Sequence, residues 1–141
     1  MKGPVHRIVI IGGGVSGVSA AAALRDGGYG GELVLIEHAD LPYDRPPLSK
    51  DYLTGERDLA QIALQPAQWY DGQRIELISP ATVTALVPDA DTVYTTLHDG
   101  RTLTADRVIL ATGGRAAVPP IAGLPGINAA GRMHVLRDVE Q

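Results

Sequence analysis

"VHRIVIIGGGVSGVSAAAALRDGGYGGELVLIE", Val5 to Glu37, reads as one strand–helix–strand unit. Val5 to Ile11 is a short β-branched apolar run, the texture of a parallel strand buried on both faces. Gly14 to Arg25 is rich in Ala, Gly and Ser, which suits a helix that packs close to a sheet. Gly27 and Gly28 supply its stop. Glu32 to Glu37 is a second strand, apolar inside and ending on an acid.

Gly12-x-Gly14-x-x-Gly17 falls between the first strand and the helix, the context in which this spacing carries meaning. Gly12 allows the tight turn, Gly14 lets backbone approach a pyrophosphate, and Gly17 lets helix and strand pack closely. The helix amino-terminus then offers free N–H groups and a positive dipole end to the phosphates. Glu37, 20 residues after Gly17, can accept the ribose hydroxyls of an adenosine. These features together predict dinucleotide binding. NAD and FAD share the ADP half, so this unit alone leaves both open.

The rest of the chain is organised differently from a run of βα units. Pro42, Pro46 and Pro47 exclude regular structure across "PYDRPP", and the paired prolines are expected to open a short helix through Leu53. Pro66 suits the first turn of a helix over "PAQWYDGQ", followed by a strand, "RIELI". "TVTALV", "TVYTTL" and "RTLTA" are Thr/Val-rich runs separated by turns, Asp99-Gly100 among them, and predict a three-stranded antiparallel meander. "DRVILATGG" is another buried parallel strand breaking into glycine. The tail from Arg115 is Pro/Gly-rich and reads as loop.

Composition narrows the function classes. The formal charge is −4 and Phe is absent, which argues against nucleic-acid binding. No apolar run has the length of a membrane span. The chain has no cysteine, so disulfides, thiolate metal sites and cysteine nucleophiles are excluded. His6, His38, His98 and His134 have no metal-site spacing, and no metal is expected. The protein reads as cytoplasmic.

Joined to the meander and "VILATGG", Val108 to Gly114, the fingerprint resembles the amino-terminal part of the FAD domain in the pyridine nucleotide–disulfide oxidoreductase superfamily. "PYDRPPLSKDYL", Pro42 to Leu53, stands where disulfide reductases carry a redox cysteine pair. It resembles the ferredoxin, rubredoxin and putidaredoxin reductase branch, as do "QWY", "VTALVPD" and "HVLRD", which come in the family's order. The resemblance implies an α/β, Rossmann-like FAD-binding domain with a parallel sheet, helices and the meander. It implies FAD as cofactor and NADH or NADPH as electron donor. It also implies a ferredoxin or rubredoxin-type iron–sulfur protein as acceptor; charge and composition, as above, leave no nucleic-acid or membrane partner expected.

The resemblance carries site residues with it. Val15 and Ser16, beside the phosphate turn, would lie against the cofactor, as would Ala111, Thr112 and Gly113. Val83 would bond the adenine through its backbone. Arg45 offers a planar donor fork to phosphate or ribose oxygens. Lys50, expected on the first turn after the prolines, would lie near the flavin ring and favour its reduced, more negative form. Arg137 matches a cofactor-contacting arginine of the "LR" element.

The family's chains continue into an NAD domain with its own GxGxxG, a returning Gly-Asp element and a carboxy-terminal domain. Residues 1–141 hold none of these, so the expectation is an amino-terminal segment that does not turn over alone. Its last strand, without the returning segment beside it, is expected to be an exposed edge open to self-association. The alternative is a non-catalytic dinucleotide-binding module or regulatory flavoprotein fragment of the apoptosis-inducing-factor kind.

Overall fold

The computed structural model describes residues 3–140. The chain divides into two compact units, one of Met1–Tyr43 and Ala63–Gly113, the other of Asp44–Ile62 and Gly114–Gln141.

In the first unit, β1 (Arg7–Ile11), α1 (Val15–Asp26) and β2 (Glu32–Ile36) form the expected right of entry to a parallel sheet. α2 (Ala67–Gly72) and β3 (Ile75–Ile78) follow, then the meander β4 (Val83–Asp89), β5 (Thr92–Leu97) and β6 (Thr102–Ala105), then β7 (Arg107–Leu110). The parallel sheet has the order β3-β2-β1-β7, and the meander the order β4-β5-β6. β7 pairs with β1 in parallel register, Val9 opposite Val108 and Ile11 opposite Leu110. Among the described residues β7 is paired on that side alone, and Leu110 is exposed.

Alternation along the buried strands separates two cores. Ile8, Ile10, Leu33, Leu35 and Ile75 face Val18 and Ala21 of α1 and Tyr70 of α2. Val9, Ile11, Val34 and Ile36 face Ala81, Leu97 and Ala105 on the meander side. The sheet therefore lies between helices and meander, which is why its strands are apolar on both faces.

Helix α1 ends as its glycines require. Gly28, at φ 84°, is followed by a bond from Tyr29 N–H to Leu24 O (2.9 Å), while Gly28 N–H reaches Arg25 O (3.0 Å). This is the paired-bond termination that a left-handed glycine permits. The Arg25 guanidinium, in the last turn, donates to the carbonyls of Tyr29, Gly31, Gln73 and Arg74, tying the helix end to the loop before β2 and the turn before β3.

Two strand boundaries in this unit differ from the sequence expectation for a visible physical reason. β1 begins at Arg7, not Val5. The Asp106 carboxylate accepts the N–H groups of His6 (2.7 Å) and Arg7 (2.8 Å), taking donors that would otherwise start the ladder. β4 runs on through Pro88, which is tolerated because β4 is an edge of its sheet.

In the second unit, the helix expected through Leu53 is a single 3-10 turn, Pro46–Ser49. Lys50 caps it at φ −130°, ψ −113°, outside the helical region, and so is not a helix residue. The tail is not all loop: α3 (Leu124–Ala129) forms after Gly123, which takes the left-handed conformation at φ 90°.

Candidate nucleotide-binding site

The candidate site of the first unit is built at the carboxyl ends of β1, β2 and β7. Gly12 turns the chain out of β1 at φ 106°, with its N–H bonded to Ile36 O (2.9 Å). A side chain there would overlap the Ala111 carbonyl oxygen, so Gly12 lets the end of β7 lie against the turn. A Cβ at Gly17 would overlap Gly12 O and stand 3.5 Å from Ala111 Cβ. Gly12, Gly17, Ala111 and Thr112 are thus brought together by backbone contacts that only glycine at 12 and 17 allows.

Gly14 is the N-cap of α1, in extended conformation, and Val18 N–H bonds to its carbonyl (3.0 Å). The helix start has no side-chain cap and no acid in its first turn. Its first N–H groups and positive end therefore remain available to an anion. Val15 and Ser16 open the helix and are exposed there.

Glu37 stands directly beyond β2 and is held at every point. Its N–H bonds to Ile78 O (3.1 Å), and its carbonyl accepts from Ala81 N–H (2.8 Å). Its Oε2 accepts from Gly13 N–H (2.6 Å) and its Oε1 from Ala39 N–H (2.9 Å). Oε1 also meets His38 Nδ1 at 2.6 Å. The carboxylate side chain is only 7% exposed. A buried carboxylate is costly unless bonded in this way. Tyr70 packs in the core between the sheet and the helices, and its hydroxyl has no hydrogen-bond partner. Burial, and then the Glu37 charge, push that phenol up to about 12.

The fingerprint reading passed over three residues here. Gly13 is an "x" of the motif, yet a Cβ on it would stand 2.7 Å from Glu37 Oε2 and 3.0 Å from Pro42 Cγ. His38 and Tyr70 belong to no motif; His38 meets the carboxylate of its own neighbour in sequence, and Tyr70 is brought near it by the fold.

Of the other expected residues, Val83 starts β4 opposite Leu97 and packs into the meander-side core. Thr112 and Gly113 follow β7 and are exposed, with Gly113 at φ 67°. Arg45, Lys50 and Arg137 belong to the second unit. That unit brings Arg45 and Arg137 together: Arg45 Nε donates to Arg137 O (3.2 Å), and Nη2 pairs with the Asp138 carboxylate (3.0 Å). Arg137 Nε donates to Gly114 O (3.0 Å). Asp138 was not foreseen as a partner of Arg45. Lys50 is exposed at the end of the 3-10 turn.

Among the described residues no group of three or more His, Cys, Asp or Glu is placed to hold a metal ion. No helix among them is long and apolar enough to cross a membrane.

A parallel βαβ unit with a glycine turn under a helix start, a buried acid at the end of the second strand and a meander before the last strand are the features of a Rossmann-like α/β domain of the dinucleotide-binding type. The chain belongs to the pyridine nucleotide-disulphide oxidoreductase family, whose model matches residues 6–141. It is 42% identical to rhodocoxin reductase of Rhodococcus erythropolis, over 86% of this chain and 29% of that protein. It is 40% identical to the ferredoxin–NAD(+) reductase subunit of a benzene 1,2-dioxygenase system of Pseudomonas putida, over 94% of this chain and 33% of that one. In the crystal structure of a covalent putidaredoxin reductase–putidaredoxin complex, a chain superposes with a TM-score of 0.73 at 39% identity, covering 83% of this chain and 28% of that one. The chain thus spans roughly a third of the length of these relatives.

Proposed function

We propose that these residues are the FAD-binding portion of an NAD(P)H-dependent ferredoxin reductase, with a ferredoxin or rubredoxin-type iron–sulfur protein as acceptor. The observation that carries the reading is Glu37. It is a buried carboxylate at the end of β2, bonded by Gly13 N–H, beside a helix start that has neither cap nor acid. That donor and acceptor set fits the ADP half of a dinucleotide: carboxylate to ribose, α1 amides to pyrophosphate. The choice of FAD rests on the meander, on "ATGG" and on relatives whose names are those of ferredoxin reductases. The proposed compartment is the cytoplasm, where reduced nicotinamide nucleotides are supplied.

When bound, FAD would supply the conversion of a two-electron donor into single-electron steps. The protein's own residues do the holding. Gly12 and Gly17 keep turn, helix and β7 in close register, and Val15 and Ser16 form the wall beside the phosphates. Glu37 orients the adenosine. Val83 is assigned to the adenine edge, and Ala111, Thr112 and Gly113 to the close backbone approach. Arg45, Lys50 and Arg137 are proposed as cofactor residues on the family resemblance, with Lys50 as the cation near the flavin ring.

Purified protein should be yellow, and heat should release FAD identifiable by chromatography. Recovery of NAD as the tightly bound species would overturn the FAD assignment. Glu37→Ala should weaken FAD binding by about 1–3 kcal/mol, the cost of hydrogen bonds to a charged group.

A further inference from the structure

The hydrogen bonds of Glu37 leave a shortage that bears on how a nucleotide enters. A carboxylate has about four acceptor positions on its two oxygens. Two are taken by main-chain N–H groups, Gly13 at Oε2 and Ala39 at Oε1, and His38 Nδ1, 2.6 Å from Oε1, stands at a third. A ribose diol brings two donors. One of the present donors must therefore leave before both hydroxyls can be accepted.

The three donors are not equally free to go. Gly13 N–H is main chain in the turn anchored by Gly12 N–H on Ile36 O. Ala39 N–H is main chain two residues beyond Glu37, whose own N–H and carbonyl are both bonded. Moving either amide means moving backbone. His38 contacts the carboxylate through its side chain, and that side chain is 52% exposed. A rotation about its side-chain bonds removes it, on the picosecond-to-nanosecond scale of exposed rotamers. Access leads to the same residue. With 7% of its side chain exposed, Glu37 is largely covered in this arrangement, and of the groups at its two oxygens the imidazole is the one on an exposed, rotatable side chain.

We propose that His38 is a side-chain gate on the ribose-binding carboxylate: its Nδ1–H stands where a ribose hydroxyl is accepted, and it swings out when an adenine nucleotide binds. Without ligand the imidazole keeps a buried charge bonded, which stabilises the empty site. The same bond must be broken on binding, so His38 lowers nucleotide affinity while it steadies the free protein. The inference rests on the reading that Glu37 holds the adenosine ribose.

The test uses ADP, which carries the ribose diol without the flavin, and measures affinity by calorimetry for the wild type, His38→Ala, Glu37→Ala and the double variant. His38→Ala should bind ADP about three- to tenfold more tightly, the equivalent of one net hydrogen bond no longer broken. In the Glu37→Ala background the same substitution should have no effect. In the wild type, nitrogen-detected NMR of the histidines should show the His38 Nδ1–H hydrogen bond in free protein and its loss at ADP saturation. Glu37→Ala binding ADP as the wild type does would overturn the ribose assignment, and the gate with it. Weakening by Glu37→Ala combined with unchanged or weaker binding by His38→Ala would overturn the gate alone. So would a His38–Glu37 bond that persists in the ADP complex, a result that does not depend on any variant folding.

Discussion

Gly13→Ala tests the Glu37 cradle most directly, because its effect can be worked out atom by atom. The new Cβ would stand 2.7 Å from Glu37 Oε2, 2.9 Å from Glu37 Cβ and 3.0 Å from Pro42 Cγ. Neither neighbour can retreat easily. Glu37 is fixed through its N–H to Ile78 and its carbonyl to Ala81, and Pro42 is buried. The carboxylate must rotate off the Gly13 N–H, losing a 2.6 Å charge-assisted bond. A bond to a charged group is worth about 1.5–3 kcal/mol, and overpacking costs about 1–3 kcal/mol, though the two are not additive. We expect a net destabilisation of about 3 kcal/mol, a fall in Tm of roughly 10 °C. ADP affinity should fall about tenfold or more as the ribose acceptor moves. Urea denaturation followed by circular dichroism gives the first quantity and calorimetry the second. Gly30→Ala is the control, since a Cβ there meets nothing within 4 Å. It should stay within about 0.5 kcal/mol of wild type. If Gly13→Ala matched Gly30→Ala in both measurements, Glu37 would not be held as described.

Tyr70 gives an alkaline signature. Its folded phenol lies at about 12 against an ordinary value of 10.0, raised by burial first and by Glu37 second. Stability from this group is complete below pH 10 and is lost as pH rises toward 12, a loss on the order of 2 kcal/mol. Tyr70→Phe should flatten that loss in urea melts between pH 9 and pH 12, and near neutrality it should leave stability equal or up to about 1 kcal/mol higher, since the hydroxyl has no partner; an unchanged alkaline slope would count against it. Asp106 acts at the other end of the scale: Arg7 N–H first, then His6 N–H, hold its carboxyl below the ordinary 3.8. Its contribution is present above that value and disappears as pH falls through the lower folded one, so the Tm deficit of Asp106→Asn should be largest near neutrality and close in acid. A deficit independent of pH would reject the Asp106 carboxylate as the acceptor that holds His6 and Arg7 N–H. Lys50→Met in FAD-loaded protein should leave the flavin bound and lower its reduction potential, because an ammonium favours the more negative reduced form; spectroelectrochemistry giving the same or a higher midpoint would reject Lys50 as the flavin-side cation.

The parts of the fold that were legible in the sequence are those written in local, repeated signals. Strand-length apolar runs, a small-residue helix and Gly27-Gly28 give β1, α1 and β2 within a residue or two. Thr/Val alternation with Asp99-Gly100 gives the meander. What escaped is set by single contacts over long separations. The start of β1 is decided by a carboxylate 99 residues away from Arg7. α3 is six residues long with Pro125 and Gly126 inside it, a composition that argues against a helix on propensity alone. The demand for glycine at position 13 comes from Glu37, 24 residues on, so no turn rule would have found it.

The candidate site shows the same division in its chemistry. Fingerprint and resemblance name groups expected to meet a ligand, Glu37 and Arg45 among them, but not the groups that meet them in the chain itself. Glu37 Oε1 is met by the residue that follows it, His38, at 2.6 Å. Arg45 is met by Asp138, the residue after another expected ligand group, Arg137. A largely buried charge must be bonded to something. A binding group that is not solvated therefore acquires an internal partner, chosen by whichever side chain the fold delivers. Such partners can be small in number and exposed, as His38 is, and on the gate proposed above they would set affinity, because each bond they make is one that a ligand has to replace.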